Sequence, residues 1–344
     1  MLTTTDIAQA VEQATRAPSV HNTQPWRWRI GPHSVDLHAD WNRHLPATDP
    51  DRRDLVLSCG AALHHLRVAL AAMGLHTDTH RFPDPQDRSH LATVDYRPDR
   101  EVDAAAARLH PAIADRRTDR RRFSRRPVPH EHIAALADAA HDAGAQLLGM
   151  ADNQQSRHLL DTLADAAQRQ EHRPGYPAEL RIWTHRYTAG CDGVPAANLT
   201  VAIPVGSAGP TPLRRFTRGS LSQAPHPPGQ PTTDDAAELL VITTPGDEPL
   251  DRLRAGEATS AVLLTATALG LASTPLSQAV EIDVSRNAVA NQVLGVTDDP
   301  QLIIRVGWPA SGANALPATP RRPLHAVLLP PHSPPPLRWT RETR

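Results

Sequence analysis

The sequence predicts an α+β protein assembled from two similar halves, and three observations point that way. Its 344 residues suggest two domains at about 150 residues each, long enough for two separate cores. Two long segments, near residues 52–73 and 250–270, are apolar on almost every side and read as buried helices. Each is followed by a run that reads as a strand, and helix and strand of one half align with those of the other.

Taken in order, Thr4 to Arg16 reads as a helix with Thr or Asp at its start. Residues 17–25 form a polar, proline-bearing loop, and Trp26-Arg27-Trp28-Arg29-Ile30 alternates with the period of a strand. After the first buried helix, Leu91–Tyr96 reads as a strand, and a helix from Asp103 leads to an arginine-rich segment, Arg116–Arg126. Helices are predicted near His130–Ala143 and Asp152–Gln170. Ile203–Thr233 is dense in Pro, Gly, Ser and Thr and reads as a long loop or lid. Glu238–Thr243 and Gln301–Gly307 read as strands around the second buried helix, and the tail from Pro330 is rich in proline.

Cys59-Gly60-Ala61-Ala62 through Ala72-Met73-Gly74-Leu75 aligns without a gap onto Ala255-Gly256-Glu257-Ala258 through Ala268-Leu269-Gly270-Leu271. The strand beginning His90-Leu91-Ala92 is set against Gln301-Leu302-Ile303. Glycine inside a helix costs about 1 kcal/mol against alanine, so Gly60 and Gly256 imply two helices in close approach across a pseudo-twofold axis. Shared Ala and Leu content could mimic such a repeat; the matching strands argue against it.

Composition excludes several classes. Net charge is −1, with no overall pull toward nucleic acid or anionic membrane. No run approaches the roughly 18 consecutive apolar residues of a membrane span, and the N-terminus lacks the pattern of a signal peptide. Cys59 and Cys191 are too few for a disulfide framework. A reduced, cytoplasmic protein is expected. Lysine is absent, which removes Schiff-base chemistry and the Walker-type phosphate lysine. Phosphate must be held by arginine, hydroxyls and backbone N–H groups. Neither His64-His65 nor His130-Glu131-His132 has metal-ligand spacing, and no metal is expected.

The loop Ala17-Pro18-Ser19-Val20-His21-Asn22-Thr23-Gln24-Pro25 carries chemistry of its own. Asn22 and Gln24 each hold a donor and an acceptor on one group, Ser19 adds a hydroxyl, and two prolines stiffen the turn. An ordinary polar turn bonding its own backbone is the plainer reading. With Trp26 added, however, the segment resembles the flavin loop of the FMN-dependent nitroreductase family, Ala-Pro-Ser-x-x-Asn-x-Gln-Pro-Trp, at every named position. That resemblance places Ser19, His21, Asn22, Thr23, Gln24 and Pro25 against a bound flavin mononucleotide (FMN), the two amides facing the ring edge.

Arg116-Arg117-Thr118-Asp119-Arg120-Arg121-Arg122-Phe123 is similar to the family's Arg-Arg-Ser-x-Arg-x-Phe motif, with Thr118 for the serine. By that likeness Arg117, Thr118 and Arg120 hold ribityl chain and phosphate, arginine forming a bidentate fork. Leu269-Gly270-Leu271-Ala272-Ser273-Thr274 is similar to the family's Gly-Leu-Gly-Ser/Thr-Cys-Trp segment, which brings Ala272, Ser273 and Thr274 toward flavin N5. Glycine and cysteine often stand where this chain has Ala272 and Thr274. Gly307-Trp308-Pro309 followed by Arg321 and Arg322 resembles the family's closing strand and its basic phosphate contacts.

The first half thus has the loop without an arginine motif ahead of it, and the second has the motif without the loop. In a nitroreductase homodimer each flavin takes one from each subunit. The resemblance therefore implies a fused pseudo-dimer with one FMN per chain, in the Acg-like branch, which carries a lid over its flavin. Residues 1–102 and 103–330 would be the two nitroreductase-like halves of an α/β three-layer sandwich, with a tail at 331–344 and a lid near 203–233. The implied reaction passes hydride from NAD(P)H through flavin N5 to a nitroaromatic, quinone or similar small acceptor, with no catalytic side chain. A closed lid would instead suit a protein that stores FMN. Monomeric behaviour is expected, without membrane or nucleic-acid partners; DNA or RNA binding through Arg116–Arg126 is opposed by the balanced charge.

Overall fold

The computed structural model describes residues 3–98, 103–184, 190–200, 213–214, 216, 219–223 and 236–330. The tail at 331–344 and most of the expected lid lie outside the described residues.

The first half runs α1 (Thr4–Ala14), β1 (Trp26–Ile30), β2 (Ser34–Ala39), α2 (Arg53–Ala72), β3 (Leu75–Arg81) and β4 (His90–Pro98). The second opens with α3 (Ala104–Asp115) and continues α4 (His130–Asp142), β5 (Gln146–Gly149), α5 (Asn153–Glu171) and α6 (Tyr176–Thr184). It then adds β6 (Glu238–Thr244), α7 (Pro249–Ala268), β7 (Ala272–Leu276), α8 (Asp283–Ala288), β8 (Asp299–Gly307) and α9 (Leu324–Val327). Two antiparallel sheets result, with strand orders β1-β2-β4-β3 and β5-β6-β8-β7. The second order repeats the first.

Both sheets even break register at the same place. The bulge falls between Leu37 and His38 against β4, and between Ile242 and Thr243 against β8. It makes Ala92, opposite Leu37, the counterpart of Leu302, opposite Ile242. The outer strands agree, since His76 pairs with Arg97 and Ala272 with Gly307. This corrects the sequence alignment, which set His90 against Gln301 and so Ala92 against Ile303. A slip of one residue in a strand exchanges its faces, and apolar content on both sides hid the slip.

α2 and α7 cross at the centre of the molecule. A Cβ on Gly60 would lie 2.1 Å from the Leu253 carbonyl oxygen, and one on Gly256 would lie 2.0 Å from that of Leu57. Leu57 and Leu253 are themselves equivalent in the repeat, so the crossing reads the same from either side. Each leucine also packs into the other half's core: Leu253 with Ile7, Trp26 and Leu37, and Leu57 with Leu136, Leu240 and Ile304. α2 is long and apolar enough to cross a membrane by composition, but 78% of its apolar window is buried inside the protein.

Layering follows side-chain alternation along the strands. On β6, Leu240 and Ile242 face α4 and α7, while Leu239 and Val241 face α5 and the α8 region. The second sheet is therefore covered on both faces. The first packs Val35 and Leu37 against α1 and α2 and turns Asp36 and Arg27 outward.

Helix starts carry their signals. Thr3 and Asp6 form a reciprocal cap on α1, Asp103 and Asp152 cap α3 and α5, and Pro249 opens α7. At α2 the carboxylate of Asp49 accepts the amides of Asp54 and Leu55 at 3.1 and 2.9 Å.

Candidate functional site

The loop after α1 has an unusual backbone. His21, Asn22 and Gln24 have φ of 47°, 55° and 51°, a left-handed conformation that non-glycine residues seldom adopt. Such strain persists only where neighbours over-determine it. The Val20 amide donates to Ser58 Oγ on α2 at 3.2 Å, and the Gln24 amide donates to Ser19 Oγ at 3.0 Å. Asn22 Nδ2 donates to the carbonyls of Gly193 (2.9 Å) and Pro320 (3.1 Å), while its Oδ1 accepts Arg321 Nη1 at 3.1 Å. Gln24 Nε2 donates to the Cys191 carbonyl at 2.8 Å, and its Oε1 accepts the Arg322 amide at 2.8 Å.

Through these bonds the amides of Asn22 and Gln24 tie the loop to residues 191–193 and 320–322. Both side chains are buried, and a buried amide left unpaired is costly.

Arg116–Phe123 is positioned by β7 and β8. Thr118 bridges Ser273 in parallel register, the Asp119 amide donates to the Ser273 carbonyl at 2.9 Å, and Thr274 Oγ1 donates to the Asp119 carbonyl at 2.5 Å. The Asp119 carboxylate holds Arg121 through two bonds of 2.9 and 2.8 Å. Arg305 on β8 stacks over the Phe123 ring at 3.7 Å and donates to the Arg121 carbonyl at 3.1 Å.

Neighbouring residues of this segment line two cavities. The first lies between the loop, α2 and the end of β7, lined by Ser19, His21, Asp54, Ser58, Ala61, Thr118, Arg120 and Thr274–Gln278. Leu213, Arg214 and Phe216, from the span expected to be a lid, complete its wall. The second is lined by Arg16, Arg116, Arg117, Arg321 and Arg322, with Thr15 and Thr319. Thr118 and Arg120 therefore face one cavity and Arg116 and Arg117 the other.

Of the residues anticipated from sequence, Ser19, His21, Thr118, Arg120 and Thr274 line the first cavity, and Arg117, Arg321 and Arg322 the second. Asn22, Thr23, Gln24 and Pro25 stand behind the loop wall. Ala272 and Ser273 fall short of the cavity, where Thr274–Gln278 take the place assigned to them. The far ends of the sequence do meet, since Arg321 bonds Asn22 directly.

The second cavity is strongly positive. Arg116 is 6% exposed, and its Nε and Nη1 have no hydrogen-bond partner. Burial, then Arg117 and Arg120, push its pKa down to about 10. Arg321 is pushed down to about 9 by burial, then by Arg116, Arg117 and Arg16. Its guanidinium holds the carbonyls of Thr15, Arg16 and Ala17 at 2.9, 3.0 and 3.2 Å, at the C-terminal end of α1 where positive charge is favoured. Glu12 alone among the lining residues is acidic, and it is exposed.

In the first cavity Arg120 lies 5.4 Å over the Phe216 ring, with its pKa lowered to about 10 by burial and by Arg214. Arg214 is matched by Glu281 at 2.5 Å and Tyr176 at 2.6 Å. Burial, Arg214 and Arg120 hold His21 neutral, well below the usual histidine range, and its Nε2 is unpartnered. Sequence reasoning missed Arg116, Arg214 and Phe216. Arg116 sat inside a recognised motif, but burial was the missing signal.

The same burial sets a pH dependence. His21 and His65 lie well below the usual range, His64 falls to about 3, and His44 is lowered, in each case chiefly by desolvation. The unfolded chain takes up these protons as pH falls through about 6.5 and the folded one refuses them, so stability is lost on the acid side. Burial raises Asp49 to about 7, and burial with Glu281 and Asp49 raises Asp54 well above the carboxylate range. Their contribution is complete below the unfolded value and is lost as pH rises toward the raised folded values, about 7 for Asp49. The melting temperature should therefore peak between about pH 6.5 and 7; a flat profile from pH 5 to 8 would contradict these burials.

The equivalent place in the other half is built differently. Carrying the helix alignment through the Gly-Leu turn sets Glu257 opposite Ala61 and Arg81 opposite Ser277. Glu257 is fully buried and takes two bonds from Arg81, of 2.6 and 2.9 Å, and one from Arg67 of 2.9 Å. The turn matching the loop is only residues 143–145, because β5 starts at Gln146.

Residues 113–308 match the sequence profile of the Nitroreductase family. Two Mycobacterium tuberculosis proteins bear the name "Putative NAD(P)H nitroreductase". Rv3131 is 45% identical over 92% of this chain and 88% of its own, and acg is 36% identical over 95% and 96%. Among solved structures, an FMN-bound nitroreductase from Bacteroides fragilis aligns at a TM-score of 0.36 and 16% identity, over 60% of this chain and 90% of that one. The chain belongs to the nitroreductase family.

Proposed function

We propose that the chain binds one FMN across its two cavities and works as an NAD(P)H-dependent oxidoreductase toward a small electron acceptor, such as a nitroaromatic or a quinone. One observation carries the reading: Arg116 is buried, charged and unpaired beside Arg117 and Arg321. A buried guanidinium without a partner is expensive, and a phosphate dianion supplies the missing acceptors bidentately.

The remaining residues fit the same group. Arg116, Arg117 and Arg321 would hold the phosphate and Thr118, at the junction, the ribityl hydroxyls. The ring would lie in the first cavity, with the strained loop on one side and Thr274–Gln278 on the other. FMN supplies the hydride-accepting and hydride-donating chemistry when bound. Arg120 places positive charge beside that position, which favours an anionic reduced ring. Neutral His21 can donate or accept a hydrogen bond there without adding charge.

Phe216, Leu213 and Arg214 on the cavity wall favour a second reading, in which the 203–233 span shields the flavin and the protein stores it. Anaerobic addition of NADPH or NADH to FMN-loaded protein separates the two. The oxidoreductase reading expects prompt bleaching of the flavin's visible absorbance, restored by a nitroaromatic or quinone. A persistent oxidised spectrum with both nicotinamides would overturn it and leave storage.

A further inference from the structure

We propose that Asp36, His38 and His90 form a binding site for one divalent transition-metal ion of the zinc class on the outer face of the first sheet. Asp36 and His38 share that face of β2, two residues apart. The bulge after Leu37 sets His90 of β4 directly opposite His38. One ligand atom from each of the three lies within 4.8 Å of the others. Neither the 17–25 nor the 116–123 segment supplies any of these three residues, so the inference does not rest on the flavin reading.

His38 carries the inference. It is 1% exposed, yet neither ring nitrogen has a hydrogen-bond partner, a state that buried polar groups avoid. Asp87 Oδ2 stands 3.8 Å from its Nδ1. That is the place of an outer carboxylate that orients a ligating histidine, which leaves Nε2 for the metal. Asp87 is itself fixed, its Oδ1 accepting Ser89 N at 2.9 Å and Ser89 Oγ at 2.6 Å. On the other side Asp36 Oδ1 lies 3.4 Å from His90 Nε2, and Thr93 Oγ1 holds both, at 2.8 and 3.0 Å.

Tetrahedral zinc with bonds near 2.1 Å separates its ligand atoms by about 3.4 Å, so the three atoms need only draw together from within 4.8 Å. Two imidazoles and one carboxylate suit zinc, cobalt, nickel or copper rather than magnesium or calcium, and water would complete the coordination. Simple packing is the alternative, since the two imidazoles stack with centroids 4.5 Å apart. Stacking leaves both nitrogens of His38 unsatisfied; a metal bond engages one. The ion would clip β2 to β4 beside the bulge.

The test uses untagged, FMN-loaded protein stripped with EDTA and titrated with Co2+ by absorbance and with Zn2+ by calorimetry. One equivalent should bind, with intense tetrahedral cobalt bands and a melting temperature raised by about 3 °C or more at saturating zinc. His90→Gln, at a partly buried position, should abolish the cobalt bands while flavin binding is kept. Asp87→Asn should weaken zinc by about 10- to 100-fold. His80→Gln, which breaks the exposed His80–Asp95 pair on the same sheet, should change nothing. Absence of stoichiometric binding, or binding that survives His90→Gln, would overturn the site.

Discussion

Arg116→Met is expected to make the ligand-free protein more stable and its flavin binding about 100-fold weaker. The opposite signs are what distinguish a phosphate site from a structural arginine. In the ligand-free chain the guanidinium is desolvated, lacks partners on Nε and Nη1, and is repelled by Arg117 and Arg120. Methionine of similar length removes that cost and fills the space. With FMN bound the same substitution deletes a charge-assisted pair, for which about 3 kcal/mol is the usual scale. Melting curves without FMN, and fluorescence titration with it, read the two effects separately. Arg121→Met is the contrasting case: Arg121 is paired with Asp119, so its loss should destabilise the protein and leave an unpaired carboxylate.

The second large effect belongs to the crossing of α2 and α7. Gly60→Ala or Gly256→Ala places a methyl group about 2 Å from a backbone oxygen of the opposing helix. Neither carbonyl can turn away without breaking its own helix, so the helices must separate. Leu57 and Leu253 are then withdrawn from the cores they enter. The expected loss is about 3 kcal/mol or more, well beyond the roughly 1 kcal/mol that alanine gains by helix propensity. Gly149→Ala meets only Leu240 Cδ2 at 3.5 Å and should be tolerated. Urea unfolding of the three variants tests the crossing.

Much of this architecture was legible before any coordinates. The first strand alternates cleanly, the two central helices are apolar on almost every side, and both glycines announced the close approach. β3 was not legible, because His76-Thr77-Asp78-Thr79-His80-Arg81 is an edge strand without an apolar alternation. β5 was too short at Gln146–Gly149 and lay where the second half was expected to show an altered loop. The site was half legible. Its residue types and the meeting of Asn22 with Arg321 followed from motif and order. The direction of the amides did not, because what satisfies Asn22 and Gln24 is backbone from residues 191–193 and 320–322, which no local pattern encodes. Arg116 was passed over for a related reason, since adjacent arginines differ only in how deeply the fold buries them. Metal spacing was sought along the chain, whereas His38 and His90 meet across strands.

The proposal of a single site rests on asymmetry between halves that share a topology. Where one half leaves room beside Ala61 and Ser277, the other inserts a buried carboxylate clasped by two guanidiniums. Counting FMN per polypeptide in saturated, desalted protein, by absorbance against chain concentration, addresses this most directly. The prediction is one; a value of two, or none retained, would contradict the account.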